Sequence, residues 1–288
     1  MKQPLYIQSP GNPRIKELIR LQNHRRRRQA GLMLVEGLSE LALAWASGLE
    51  AHTVFICPQL LKSPQNPDYA AEQHLLGLVE QGQAEVVHLS PEAMKKASYR
   101  DHPDAWLCLA RAPSLELQGL ALPRSQPALL IIAEDLEKPG NLGAILRSID
   151  AAGGHGLISA QGRTDLLNPN VVRSSKGCLF QIPSAEASNR ETLSFCRTHG
   201  IRVFAAVPEA RTGYWDTDLS GPSAIVVGAE KEGLSDFWKQ EADELITIPM
   251  LGRVNSLNVA QAATLMLYEA VRQRRDPRAY QSENPGRL

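Results

Sequence analysis

The sequence predicts an α/β protein of two domains, each built from strands alternating with helices. Three observations carry that expectation. The chain has 288 residues, about twice the roughly 150 typical of one domain. The run ALLIIA, Ala128 to Ala133, has the unbroken hydrophobicity of a strand buried on both faces of a parallel sheet. On either side of it, short apolar runs and amphipathic stretches alternate along the chain.

Taken in order, Pro13 to Arg28 suits one basic helix, with Ile15, Leu18, Ile19 and Leu21 at helical spacing. A strand follows at Leu32–Val35, then a helix at Ser39–Ala46, which opens on a residue suited to capping. Further strands are expected at Thr53–Cys57 and Glu85–Leu89, with a helix at Ala70–Gln81 between them and a short helical turn at Met94–Ser98. Three prolines and no sustained period mark residues 111–127 as a linker. This divides the chain into a smaller α/β domain at 1–110 and a second domain at 128–288. After ALLIIA, a helix is expected from Gly140, where Leu142, Ile145, Leu146 and Ile149 form one apolar stripe. Strands are expected at Gly156–Ser159, Ile201–Ala206, Ala224–Gly228 and Leu245–Ile248, with helices near Arg190–Thr198 and Leu234–Gln240. A last helix, Asn258–Arg275, is apolar nearly all round until Tyr268 and is expected to be well buried.

Composition is that of a globular chain, 43% hydrophobic and 22% charged, which excludes a collagen-like fibre, a disulfide scaffold and a largely disordered chain. The four cysteines are far apart and have no metal-ligand spacing, as expected of reduced thiols. No signal-peptide core or membrane-spanning run is visible, so the sequence predicts a cytoplasmic protein. Basic and acidic residues balance at 31 each, which at first argues against a nucleic-acid partner. The balance is uneven, however. Residues 1–30 hold eight basic groups, including the run Arg25, Arg26, Arg27 and Arg28, against Glu17 alone. Such a run is often just a solvated face, but it is also the leading candidate for phosphate contacts. A smaller cluster, Arg272, Arg274, Arg275 and Arg278, ends the last helix and suits its C-terminal dipole.

Ligand sites in parallel sheets gather at the carboxyl ends of strands, and three such loops are unusual. In Glu134–Arg147 (EDLEKPGNLGAILR), Asn141 and Arg147 lie off the apolar stripe of their helix. In Val226–Ser235 (VVGAEKEGLS), Gly228 and Gly233 allow a sharp turn and close approach to a ligand. In Ile248–Ala263, the polar residues Asn255, Ser256 and Asn258 crowd against an apolar helix, with Ser256 a plausible N-cap. A dinucleotide fingerprint, a P-loop, a nucleophile elbow and an H-E-x-x-H metal motif are all absent. Asn168-Pro169-Asn170 reads as a helix start.

Together and in this order, the loops resemble the three motifs of the SpoU (TrmH-like) RNA ribose 2'-O-methyltransferases of the SPOUT superfamily. The motifs are N-x-G-A-I-x-R at Asn141–Arg147, G-x-E-x-x-G-L-S at Gly228–Ser235, and I-P-M-x-G-x-x-x-S-L-N-V at Ile248–Val259. Val172–Gly177 fits the connecting R-x-S-x-G pattern, and the first half resembles, more loosely, the accessory RNA-binding domain of such enzymes. The resemblance implies a trefoil-knotted methyltransferase domain with a mostly parallel sheet, preceded by the smaller α/β RNA-binding domain. It also implies S-adenosyl-L-methionine as cofactor, no metal, and a homodimer with a shared active site. By the same resemblance, Val207, Gly228, Ala229, Glu230, Gly233, Ile248, Met250, Ser256 and Leu257 hold the cofactor. The resemblance also implies that Asn141, Arg147, Glu230, Ser256 and Asn258 serve catalysis, while Arg25 to Arg28, on charge, and Arg147 and Arg173 are the expected RNA contacts.

The physical demand of the reaction is alignment of a ribose 2'-hydroxyl with an activated methyl group, together with loss of the hydroxyl proton. A guanidinium keeps its proton in proteins, so Arg147 is expected to clamp a phosphate beside the target ribose rather than act as the base. The expected substrate is ribosomal RNA. The alternatives are tRNA, or a non-catalytic RNA-binding or ribosome-assembly factor on the same fold.

Overall fold

The computed structural model describes residues 4–229 and 231–275. They divide into two compact units, one of residues 4–113 and 165–181, the other of residues 114–164 and from 182 onward.

In the first unit, β1 (Leu5–Ile7) leads into helices α1 (Pro13–Arg20) and α2 (His24–Ala30), then β2 (Leu32–Glu36), α3 (Leu38–Ala46) and β3 (Ala51–Ile56). Helix α4 (Tyr69–Gln81), β4 (Glu85–Leu89), α5 (Pro91–Ala97) and β5 (Trp106–Arg111) complete it. The strands form one sheet in the order β1-β4-β3-β5-β2, in which β5 runs antiparallel to both its neighbours. The single basic helix expected over 13–28 is two. Asn23 accepts hydrogen bonds from the backbone N–H groups of Arg25 and Arg26, so it starts a new helix where the apolar period ran on. Likewise α3 is not capped by Ser39. Gly37 occupies the cap position, and the Leu38 N–H donates to Asp104 at 3.0 Å.

The second unit is one seven-stranded sheet, parallel throughout, in the order β10-β12-β9-β11-β6-β7-β8. Strand β6 (Leu129–Glu134) is buried along its whole length, as its composition requires. It leads into α6 (Pro139–Ala151) and β7 (Gly156–Ala160). Residues 165–181, with helix α7 (Pro169–Ser174), then cluster with the first unit, although the sequence division gave them to the second domain. Asn168 caps α7, as expected of a helix start. The chain continues as β8 (Ser184–Ala187), α8 (Asn189–Thr198), β9 (Arg202–Ala206), β10 (Thr212–Gly213), β11 (Ser223–Val227), α9 (Asp236–Glu241), β12 (Glu244–Thr247) and α10 (Val259–Arg274). Part of the expected linker is not free chain, since Leu117 and Leu120 are buried in this unit's core. Helix α10 packs along α6, where the Ser148 and Thr264 hydroxyls meet at 2.6 Å, but it is not covered all round as its composition suggested. Leu265 and Tyr268 remain 40% and 46% exposed. Its last turn is fixed by Arg274, whose guanidinium donates to the carbonyls of Pro127, Ala128, Leu219 and Gly221. Those four bonds, more than a helix dipole, account for this arginine; Arg278 lies outside the described residues.

Candidate active site

In the second unit the carboxyl ends of β9, β11 and β12 point to the same edge, and the loops that follow them enclose a cavity of about 770 Å³. This is where a parallel sheet offers a ligand site, because the chain reverses direction above the strand ends. Each loop supplies one wall, from residues 206–209, from 227–229 with 231–234, and from 246–257, with Val259 and Met266 of α10 behind them.

The wall after β11 is shaped by its glycines. Gly233 adopts φ +68°, and its N–H donates to the Ala229 carbonyl at 2.9 Å, closing the turn. A Cβ on Gly228 would press into the Gly233 carbonyl, so the backbone can close here only with glycine at 228. Val207, Gly228, Ala229, Gly233, Ile248, Met250, Ser256 and Leu257 all line the cavity. Glu230 lies outside the described residues. Sequence reasoning passed over Glu209, Glu232, Lys231 and Lys239, which bring charge to the rim. Glu209 pairs with Lys239 at 3.0 Å, and that bond holds its carboxyl below the usual range.

The polar residues of the third loop are sorted by the start of α10. Asn258, not Ser256, is the cap, and its side-chain oxygen accepts from the Ala260 N–H at 3.0 Å. Two positions further into the chain than expected, it satisfies the first turn while leaving Ser256 exposed on the cavity wall. The other half of the Asn258 amide donates to the Asn141 side-chain oxygen at 3.1 Å. That bond ties the first residue of motif one to the last polar residue of motif three and orients both amides. Arg147 is exposed almost two turns along α6 from Asn141.

Of the basic residues expected to meet RNA, Arg25, Arg26 and Arg28 are exposed on α2, and Arg173 is exposed on α7. Arg27 must be removed from that set. It is 2% exposed, and its guanidinium donates to the carbonyls of Leu21 and Gln22 and to Asp165, at 2.9, 2.7 and 2.5 Å. Its charge is consumed inside the first unit. Beside it, Ile19, Arg20, Asn23, Arg25, Arg26 and Gln29 line a shallow basic recess. Among the described residues no group of His, Cys, Asp or Glu is placed to hold a metal ion.

Residues 128–268 match the model of the SpoU rRNA Methylase family, and residues 12–108 match that of an MRM3-like substrate binding domain. A 23S rRNA (uridine(2479)-2'-O)-methyltransferase of Streptomyces viridochromogenes is 32% identical over 264 residues, covering 88% of this chain and 87% of its own length. Among solved structures, an RNA 2'-O ribose methyltransferase is 39% identical with a TM-score of 0.79, covering 94% of this chain and 99% of its own. The SpoU methyltransferase AviRb of Streptomyces viridochromogenes, in complex with the cofactor AdoMet, is 30% identical with a TM-score of 0.80, covering 91% of this chain and 99% of its own. The chain therefore belongs to the SpoU rRNA methylase family.

Proposed function

We propose that the chain is an S-adenosylmethionine-dependent 2'-O-methyltransferase that acts on ribosomal RNA, with the cavity above β9, β11 and β12 as its cofactor site. The observation that carries this reading is the convergence of motifs two and three on one cavity, with motif one joined to them through the Asn141–Asn258 bond. The residues suit the group. Val207, Leu234, Ile246 and Met266 offer apolar walls to an adenine ring, the Gly228–Gly233 turn offers backbone polar groups, and Glu209 and Glu232 offer negative charge to a sulfonium. When bound, the cofactor supplies a methyl group already activated by the adjacent sulfonium.

The chain's own residues have three tasks. Asn141 and Asn258, fixed against one another, orient the hydroxyl that is to be methylated. Ser256, exposed on the wall, offers it a hydrogen-bond partner. Arg147, exposed on α6, clamps a phosphate next to the target ribose with the bidentate geometry that only a guanidinium has. Alignment of this kind supplies a large part of the barrier reduction without any further chemistry. Arg25, Arg26, Arg28 and Arg173, together with the recess beside α2, hold the RNA.

The same reading includes a homodimer, supported by the exposed Leu265 and Tyr268 on a helix otherwise packed against α6. It includes a trefoil knot in the backbone around residues 248–258, supported by β11 lying between β6 and β9 before the chain leaves for β12. It also places the enzyme in the cytoplasm with its RNA; no described helix is long and apolar enough to cross a membrane. Mass-spectrometric mapping of ribose methylation in ribosomal and transfer RNA, with and without the gene, tests the function. Loss of one 2'-O-methyl group from rRNA is expected. Loss from tRNA instead would reassign the substrate, and unchanged RNA would leave a non-catalytic binding factor.

A further inference from the structure

Glu134, the last residue of β6, is 3% exposed, yet it is a carboxylate with no cationic partner among the described residues. Burying such a group is costly unless its oxygens are satisfied. Here they are, from two directions. The Ser235 N–H donates to Oε2 at 2.8 Å, and the Ser235 hydroxyl donates to Oε1 at 2.6 Å. From α8, the Asn189 amide donates to Oε1 at 2.5 Å. Ser235 is the last residue of motif two, whose Gly228, Ala229, Gly233 and Leu234 line the cavity. The other end of that loop leaves β11, whose Val227 is paired in register with Ala133, the residue before Glu134. Both ends of the glycine turn are thus pinned to the same point of β6, one by the sheet and one by this carboxylate. Ser235 caps α9 by position but makes no side-chain cap bond, so its hydroxyl is committed to Glu134.

We propose that Glu134 is a positioning residue that holds the motif-two loop in its cofactor-binding shape through Ser235. The inference rests on the assignment of the cavity to S-adenosylmethionine. The Gly228–Gly233 turn meets its ligand largely through backbone groups, whose placement depends on where the two ends of the loop are fixed.

The test is the calorimetric Kd for S-adenosylmethionine, measured on the full chain with no RNA present. Glu134→Ala removes the anchor and is expected to raise Kd by about tenfold. Ser235→Pro removes both the N–H and the hydroxyl while suiting the native φ of −63°, and is expected to give a similar loss. The double variant is expected to be no worse than either single one, because both break the same link. Glu134→Gln is expected to stay within about threefold of wild type, since a turned Asn189 amide, whose Oδ1 makes no hydrogen bond, can accept from the new amide group. Asn189→Ala serves as the structural control, with lower thermal stability expected but Kd within about threefold of wild type. Equal losses of affinity in Glu134→Ala and Asn189→Ala, or additive losses in the double variant, would overturn the proposal. A wild-type chain that binds no S-adenosylmethionine would instead refute the assignment of the cavity. If Glu134→Ala does not fold, Ser235→Pro, altered at an exposed position, decides the matter alone.

Discussion

The four consecutive arginines of α2 make a prediction that separates burial from charge. Arg27 donates two hydrogen bonds to the end of the α1–α2 turn and one to Asp165, whose side chain is 22% exposed against 3% for Arg27. Replacing Arg27 by Gln leaves a mostly buried carboxylate unpaired and two carbonyls poorly served. Breaking a buried pair in this way costs about 3–5 kcal/mol. The partial exposure of Asp165 places the cost at the lower end, about 3 kcal/mol, because water compensates part of the abandoned charge. Hydrogen-exchange mass spectrometry reads that loss locally. Amides of α2 and of 165–181 are expected to exchange roughly a hundredfold faster, since about 1.4 kcal/mol corresponds to one decade. The salt dependence of RNA binding reads the charge. Replacing Arg25, Arg26 or Arg28 by Gln is expected to flatten the slope of log K against log salt by about 0.7–0.9 for each phosphate left without its arginine. Arg27→Gln is expected to leave that slope unchanged. If it flattens the slope as much as Arg25→Gln does, or leaves exchange at 165–181 untouched, the assignment of Arg27 to the interior is wrong.

Other consequences can be measured at single positions. Arg147→Lys is expected to lose most turnover and much RNA affinity while cofactor Kd stays unchanged; turnover at the wild-type rate would remove the phosphate clamp from the mechanism. Gly228→Ala is expected to abolish cofactor binding in calorimetry, because the added carbon meets the Gly233 carbonyl, and retained affinity would show that the turn can open. Asn258→Ala is expected to cost about 1 kcal/mol in chemical unfolding through the lost cap, together with a fall in kcat larger than the change in cofactor Kd; equal changes would make Asn258 a structural residue only. Burial, then the charge of Arg274, hold the imidazole of His155 below its usual value, and its Nδ1 accepts from the Leu129 N–H at 3.0 Å. The unfolded chain therefore binds the proton first as pH falls through about 6.5, and stability is lost from there down to the lower folded value. His155→Gln is expected to flatten that decline in denaturation curves from about pH 7.5 to about pH 5. An identical decline in the variant would place the acid sensitivity elsewhere.

What the sequence made legible follows from what each residue type can report on its own. Strands buried on both faces, such as Leu129–Glu134 and Ser223–Val227, announce themselves because their runs 129–133 and 224–227 are apolar without a break, whatever the neighbouring strand is. Motif glycines are legible for the same reason. Gly233 needs a left-handed backbone and Gly228 needs empty space, and both demands belong to the loop itself. Failures came where the deciding partner is distant in the chain or where two local rules compete. One apolar period runs from Pro13 through Leu21, and only the capping bonds of Asn23 break it. Ser256 and Asn258 are both good caps by type, and the choice between them is made by the packing of Val259 and Ala260, which fixes where the helix can begin. The strand Trp106–Arg111 runs directly into a proline-rich stretch, whose lack of period masks the strand's end.

Glu134 and Arg27 are the sharpest cases. Each is a charged residue whose neighbours suggest another role, an exposed loop for one and an RNA-binding run for the other. Each is in fact buried by partners 101 and 138 positions away, Ser235 and Asp165. A charged residue in a sequence reports only that a partner or water must be found, and chain topology decides which. The burial of Glu134 had one local sign, its place at the end of a strand with no exposed face. The burial of Arg27 had none, since the arginines on either side are exposed and chemically identical. Runs of like charge are therefore the part of such a sequence where counting residues says least about binding, and where replacing them one at a time, rather than as a block, separates the contacts made to RNA from those that hold the fold.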